Sequence, residues 1–282
     1  MLSREEKNKE IVDEIKHEKA IKVTKIVLKT VGVFLLIMTI LFLYAYFIGI
    51  KGLQVKEYLI KDTNIPSSYN GIKILHISDI LYGKTITEKE LNKINDEIYL
   101  INPNIIVFTG NIVSKDYSLT EDDIKKIQDF FKKMPYTIGK YAVSGDTDSN
   151  NFNLILDNTD FEIINNKNLE IYNGKEKINL IGINYQNDDN IKQDSDGYTI
   201  TLINNFDNYD KYQISSNIVL AGHNLGGEIR LFNLPLLGLD KHLKEYYQEG
   251  NTKIYISSGI GSKHHMRFMN KPSINVYRLY ND

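Results

Sequence analysis

The chain contains no cysteine, which excludes disulfides and thiolate chemistry and leaves either side of a membrane open to it. It has no surplus of one charge. Lys and Arg number 34 against 36 Asp and Glu, and no basic stripe carries interleaved aromatic residues, so a nucleic-acid partner is not expected. No Pro/Gly/Ser-rich linker and no internal repeat interrupts the sequence after residue 51, so residues 52–282 read as one domain. Hydrophobic residues make up 42% of the chain, enough for a sizeable core in a domain of that length.

Charge is missing altogether between Lys29 and Lys51. Val31–Ile50, at about 1.5 Å per residue, spans the roughly 30 Å of a bilayer's hydrocarbon core. Tyr44, Tyr46 and Phe47 cluster at its far end, where an aromatic belt meets the headgroups. The leader before the run is long and no small-x-small cleavage pattern follows it, so residues 30–50 are expected to stay as a transmembrane anchor rather than leave as a signal peptide. Lys16, Lys19, Lys22, Lys25 and Lys29 precede the span, against Lys51, Lys56 and Lys61 after it. That bias puts residues 1–29 inside as a charged, helical stub and residues 52–282 on the extracytoplasmic side of the cell membrane. The stub leaves room for a partner-binding role.

Four stretches beyond the span share one form. Ile74–Asp79, Ile105–Asn111, Tyr141–Asp148 and Ile218–Gly227 are apolar runs that end in small residues and then a polar side chain. In α/β proteins such strand tips present reactive groups at the carboxyl edge of a sheet. The intervening sequence supports that class. Val55–Ile60 reads as an edge strand and Ile72–Ser78 as a buried one. Thr87 and Glu90 form a capping box for a helix reaching about Leu100, and Thr120 caps a second helix reaching about Lys133. Strands Ile105–Thr109 and Tyr141–Ser144 complete a β-α-β-α-β half. The second half is strand-rich: Phe161–Ile164, Leu169–Tyr172, Ile178–Ile181, Tyr198–Ile203, Ile218–Ala221, Lys253–Ser257 and Ile274–Leu279. The expected fold is a two-sheet α/β sandwich with helices outside and a polar crevice where the strand tips meet.

These tips, with Leu220–His223 followed by Gly226-Gly227, the Ser258–Gly261 stretch, Arg267-Phe268 and Pro272, resemble the calcineurin-like metallophosphoesterases. The resemblance covers roughly Leu53–Leu279 and is closest to a bacterial branch whose domain follows an N-terminal membrane segment. It implies a metallophosphoesterase-type sandwich and a centre of two divalent metals that polarise a phosphoryl group and generate hydroxide. The family's first motif is Asp-x-His, matched here by Asp79 and Leu81. Its second supplies a metal-bridging Asp after a glycine, matched by Asn111. Its third, Gly-Asn-His followed by Asp or Glu, is Gly145-Asp146-Thr147-Asp148, so Thr147 stands at the position of the catalytic His. Its fourth, a lone His at a strand end, is Asn204. Its last, Gly-His-x-His, becomes Gly222-His223-Asn224-Leu225.

The substitutions sort by metal. One site would be left with Asp79, Leu81, Asn111 and Leu225, a remnant with too few donors for a transition metal. The other keeps Asn111, Asp146, Asn204 and His223, a set that could hold a single Mn, Mg or Ca ion weakly, or form a hydrogen-bonded cluster with no ion. Threonine cannot act as a general acid near neutral pH. The expected protein is a membrane-anchored pseudo-phosphoesterase without a cofactor, binding a protein partner or a phosphate-bearing ligand. The alternatives are a working phosphoesterase on the residual single-metal site and a structural anchor whose crevice is irrelevant. Lys263, His264, His265 and Arg267 form a loop that either grips an anion such as a lipid headgroup or is simply a solvated turn. His76, inside a buried strand, reads as a satisfied core histidine.

Overall fold

A computed structural model describes residues 3–148, 151–185, 196–212, 214–232, 234–236 and 240–282. The chain divides into two compact units, residues 1–45 and 46–282. Helix α1 (Arg4–Phe47) is continuous, with no break at the expected join between stub and span. Among the described residues its Ile11–Phe47 stretch is long and apolar enough to cross a membrane, which makes it a candidate anchor. Its large apolar side chains are exposed around the helix. Thr24, Thr30 and Thr39 donate their hydroxyls to the carbonyls four residues back, so these polar groups are satisfied within the helix itself.

The second unit is built from β1 (Gln54–Lys61), β2 (Lys73–Ile77), α2 (Glu88–Ile101), β3 (Ile105–Phe108), α3 (Glu121–Lys132), β4 (Gly139–Ala142), α4 (Asn151–Leu156), β5 (Phe161–Ile163), β6 (Lys167–Asn173) and β7 (Glu176–Ile183). There follow β8 (Thr199–Ile203), β9 (Ile218–Ala221), β10 (Arg230–Leu231), β11 (Leu234–Pro235), β12 (Tyr246–Glu249), β13 (Thr252–Ile256) and β14 (Ser273–Tyr280). One six-stranded sheet has the order β1-β14-β2-β3-β4-β5 and the other β12-β13-β9-β8-β7-β6, while β10 and β11 pair as a hairpin. The expected edge strand is β1. The strands β2 to β5 are parallel, as are β7, β8, β9 and β13.

Side-chain alternation assigns each face. In β3, Ile106 and Phe108 pack with Leu91 and Ile98 of α2 and Phe131 of α3, while Ile105 and Val107 join Leu180, Leu202 and Leu220 of the second sheet. The outer face of the second sheet buries Ile203, Val219 and Ile256 with Phe206 and Tyr209. Both helices start at the caps read from sequence, Thr87 with its box and Thr120, which the structure shows boxed by Asp123 as well. His76 falls on the inter-sheet face, fully buried. Its Nε2 lies 2.8 Å from Thr109 Oγ1 but its Nδ1 has no partner, and burial lowers its pKa to about 3. It is a neutral core histidine with only one ring nitrogen bonded.

Candidate functional site

The carboxyl ends of β2, β3, β4, β8, β9 and β13 lead into one crevice, and backbone bonds join the two sheets there. Ile260 N–H donates to Ser78 O (3.1 Å) and Gly261 N–H to Asp79 O (2.7 Å). Asp79, Leu81, Asn111, His223 and Leu225 all adopt left-handed backbone conformations, with φ between 47° and 65°. Such positions cost about 1–2 kcal/mol for residues with a Cβ and cluster at functional sites. The family resemblance would place a metal ligand at each, and all five share this backbone conformation even where leucine stands.

Asp79, Leu81, Asn111 and Leu225, the remnant set that the resemblance assigns to one metal, are all fully or nearly fully buried. Asn111 donates its amide N–H to Asp79 Oδ1 at 2.8 Å, and the other carboxylate oxygen accepts from His223 N–H (2.9 Å) and from the Ser78 hydroxyl. The orientation of the Asn111 amide is fixed by its surroundings, because its Oδ1 accepts from both Thr147 N–H and Thr147 Oγ1–H at 3.1 Å. Leu225 and Asp79 meet over Gly259, where any Cβ would strike the Leu225 side chain, and Leu81 abuts Gly261. These residues do not fit a metal: the polar atoms face one another, and the remaining two positions are hydrocarbon.

The other half of the crevice is more open. His223 Nδ1 lies 3.0 Å from Asp146 Oδ1, and its Nε2 lies 3.9 Å from Asp240 Oδ1. Asn204 is buried, donating to Thr109 O (2.7 Å), and its Oδ1 receives Asp146 N–H at 3.4 Å. A Cβ at Gly145 would collide with both Asn111 and Asn204, so the third strand tip needs that glycine for close approach. Burial works to raise the Asp146 carboxyl, but the hydrogen bond and charge of His223, with Lys263 behind them, outweigh it and hold the pKa below the usual value. Thr147, where the resemblance would put a catalytic His, shares its one hydroxyl proton between Val113 O (2.9 Å) and Asn111 Oδ1 (3.1 Å), so it serves the loop. Among the described residues, no group of three or more His, Asp or Glu side chains is placed to hold a metal.

Two roles have no counterpart in the sequence reading. Asp148, read there only as the last residue of the third tip, anchors it: its carboxylate accepts the backbone N–H groups of Asn111 (2.7 Å), Gly145 (2.8 Å) and Ile112 (2.8 Å). Asp240, beside His223, follows residues outside the described set and carried no motif. A third group supports the Gly226-Gly227 turn. Glu245 bridges Lys56 (2.6 Å) and Arg230 (2.8 Å), and Arg230 Nε–H donates to Gly226 O at 2.6 Å.

Asp148 gives the crevice a pH dependence. Burial pushes its carboxyl up to about 6, partly offset by the three backbone donors, and burial likewise raises Asp79. Unfolded carboxyls titrate near 4, so between about pH 4 and 6 Asp148 is more protonated in the folded chain than in the unfolded one. The stability that Asp148 contributes should therefore fall as pH rises through that window, by on the order of 2–3 kcal/mol. Asp146 acts oppositely, losing its contribution as pH drops below the normal carboxylate range. His76 also opposes Asp148, because a histidine buried neutral adds stability as pH rises toward the ordinary imidazole value of about 6.5. The Asp148 share is therefore read against an Asp148→Asn variant, whose thermal stability should gain on the parent as pH rises from about 4 to 6; a difference between the two that does not change with pH would contradict this assignment.

The loop at 263–267 corrects one expectation. Arg267 is fully buried and its guanidinium donates to the carbonyls of Ser258 (2.6 Å), Gly259 (3.4 Å), Gly261 and Asn270 (3.4 Å), so it braces the loop and faces no external anion. His264 is exposed with its Nδ1 2.6 Å from Glu228 Oε2, and the His265 ring lies 4.7 Å from that of Tyr46, tilted by 48°.

No protein-family model matches the sequence. Curated relatives do. An uncharacterized metallophosphoesterase of Bacillus subtilis, YkuE, is 27% identical over 259 residues, covering 84% of this chain and 88% of its own. An uncharacterized metallophosphoesterase of Campylobacter jejuni, Cj0846, is 28% identical over 80% of this chain, which spans 63% of that protein. A zebrafish transmembrane protein with a metallophosphoesterase domain is 24% identical over 40% of this chain and 25% of its own length. By sequence, the chain is a relative of the metallophosphoesterases.

Proposed function

We propose that this is a membrane-anchored member of the metallophosphoesterase fold that has given up turnover and acts by binding, with its domain on the extracytoplasmic side. The observation that carries the reading is the Asn111 amide on Asp79 at 2.8 Å, with Leu81 and Leu225 completing that half of the crevice. Two carboxylates at positions 79 and 111 would repel unless a cation lay between them; one carboxylate and one carboxamide bond directly. The same atoms cannot serve a dinuclear centre. The apolar helix α1 and the transmembrane relative support the anchor, and the lysine bias before the span supports its orientation.

The second reading, hydrolysis on one metal at Asn111, Asp146, Asn204 and His223, draws on the Asp146–His223–Asp240 group, which is partly open to solvent. Hydrolysis of a generic aryl phosphodiester by the full chain, with Mn or Zn present, separates the two. Turnover is expected to equal that of a His223→Ala control. Turnover well above that control rejects the inactive reading. In cells, Asp146→Asn and His223→Ala should each abolish the biological role; if neither does, the crevice is irrelevant and the chain is a structural anchor.

A further inference from the structure

The hairpin β10–β11 is apolar on its surface. Leu231, Phe232, Leu234 and Leu236 all stand exposed within six residues, Phe232 by 80%. Phe232 is also held at φ 49°, a left-handed conformation unfavourable for a bulky side chain, so the ribbon displays that ring at a local cost. Met269, exposed on the adjoining loop at φ 53°, extends the patch. That loop is tied to the hairpin by Arg230 N–H on Phe268 O (2.9 Å) and Phe268 N–H on Glu228 O (3.1 Å). A contiguous apolar group of this kind marks a contact surface.

The loop also indicates what covers it. His265 precedes Phe268 by three residues, at most about 11 Å of chain. Its ring lies 4.7 Å from that of Tyr46, the first residue of the second unit. Tyr46 belongs to the uncharged run that ends at Ile50, and Phe47 and Ile48 beside it are exposed. The loop at 263–269 therefore reaches the end of that run through His265, and the hairpin is bonded to the same loop through Phe268. Lys84, whose ammonium bonds the Lys263 carbonyl, brings cationic charge to the same loop, as the headgroups of an anionic bilayer would require.

We propose that the hairpin is a second membrane contact, resting its leucines and Phe232 in the headgroup–acyl boundary of the bilayer that α1 crosses. This rests on the anchoring reading above. It fixes the crevice at the membrane surface, where a membrane-borne ligand would meet it.

The chain has no tryptophan, so a single introduced one reports its own surroundings. Full-length Phe232→Trp, Phe42→Trp and Tyr172→Trp variants would be reconstituted into phosphatidylcholine–phosphatidylglycerol vesicles, with and without brominated acyl chains. Phe42 lies in α1, and Tyr172 is exposed on β6, at the edge of its sheet opposite β12. Interfacial insertion to about 5–10 Å predicts that bromine quenches Phe232→Trp about twofold or more and leaves Tyr172→Trp unaffected. If Phe42→Trp is quenched while Phe232→Trp behaves like Tyr172→Trp, the hairpin proposal is overturned, the anchor stands, and the patch faces a protein instead. If Phe42→Trp is unquenched, the anchoring reading fails. Quenching of Phe232→Trp would then keep the hairpin as a peripheral contact, and its absence would end both.

Discussion

Asn111→Asp is expected to destabilise the folded chain by on the order of 3 kcal/mol near neutral pH and by almost nothing near pH 4. The substitution is nearly isosteric, so packing is preserved and chemistry alone changes. Asn111 and Asp79 are both fully buried, and the amide N–H that now meets Asp79 Oδ1 at 2.8 Å would become a second carboxyl oxygen. Two buried carboxylates at that distance cannot both ionise, so one is held as the acid with its pKa raised well above the unfolded value of about 4. An acid raised in the folded state destabilises from its unfolded pKa upward, and the loss grows until pH passes the folded pKa. The midpoint of thermal unfolding should therefore drop by about 6–12 °C at neutral pH and by far less in mild acid. A variant as stable as the parent at neutral pH would mean that the Asn111–Asp79 bond does not hold this half of the crevice together.

The opposite change should recover a metal site. Asp79, Leu81, Asn111, His223 and Leu225, the positions to which the family resemblance would assign ligands, all hold left-handed backbones, an arrangement on which returned ligands can be tested. Combining Leu81→His, Asn111→Asp, Asp146→Asn, Thr147→His, Asn204→His and Leu225→His restores the set that the family resemblance implies. The parent protein should show no change in unfolding temperature with Mn. The combined variant should be less stable without metal, because buried imidazoles and a carboxylate pair lack partners, and should gain about 3 kcal/mol at a hundredfold excess of metal over its dissociation constant. Aryl phosphodiester hydrolysis should rise by about 10² or more, the scale of a restored general acid. A folded variant with no metal response would show that the strand tips no longer converge as ligands must.

The fold was largely legible because its strands are short apolar runs bounded by clear stops. The four tip strands lie where the sequence places them, and both long helices begin at their capping boxes. The elements that escaped notice lack that contrast. Strand β12, Tyr-Tyr-Gln-Glu, is mostly exposed, α4 is six residues long, and the two-residue strands of the hairpin carry no periodicity. At the site, the donor inventory could be read residue by residue, which identified the Asp79, Asn111, Leu81 and Leu225 positions. Hydrogen-bond direction could not. Nothing in the sequence says that the Asn111 amide points its nitrogen at Asp79, or that Asp148 gathers three backbone N–H groups from two loops. Arg267 illustrates the converse. Next to Lys263, His264 and His265 it reads as part of an exposed basic loop, whereas the chain turns it inward to hold four carbonyls.

Metal content is the most direct test of the claim that the crevice has exchanged its ions for amide hydrogen bonds. Full-length protein would be incubated with Mn and Zn, freed of loosely held ion by gel filtration, and analysed for metal per chain beside the combined variant. The expected result is far less than one ion per parent chain and close to two in the variant. Two tightly held ions in the parent would contradict the account, whatever its activity.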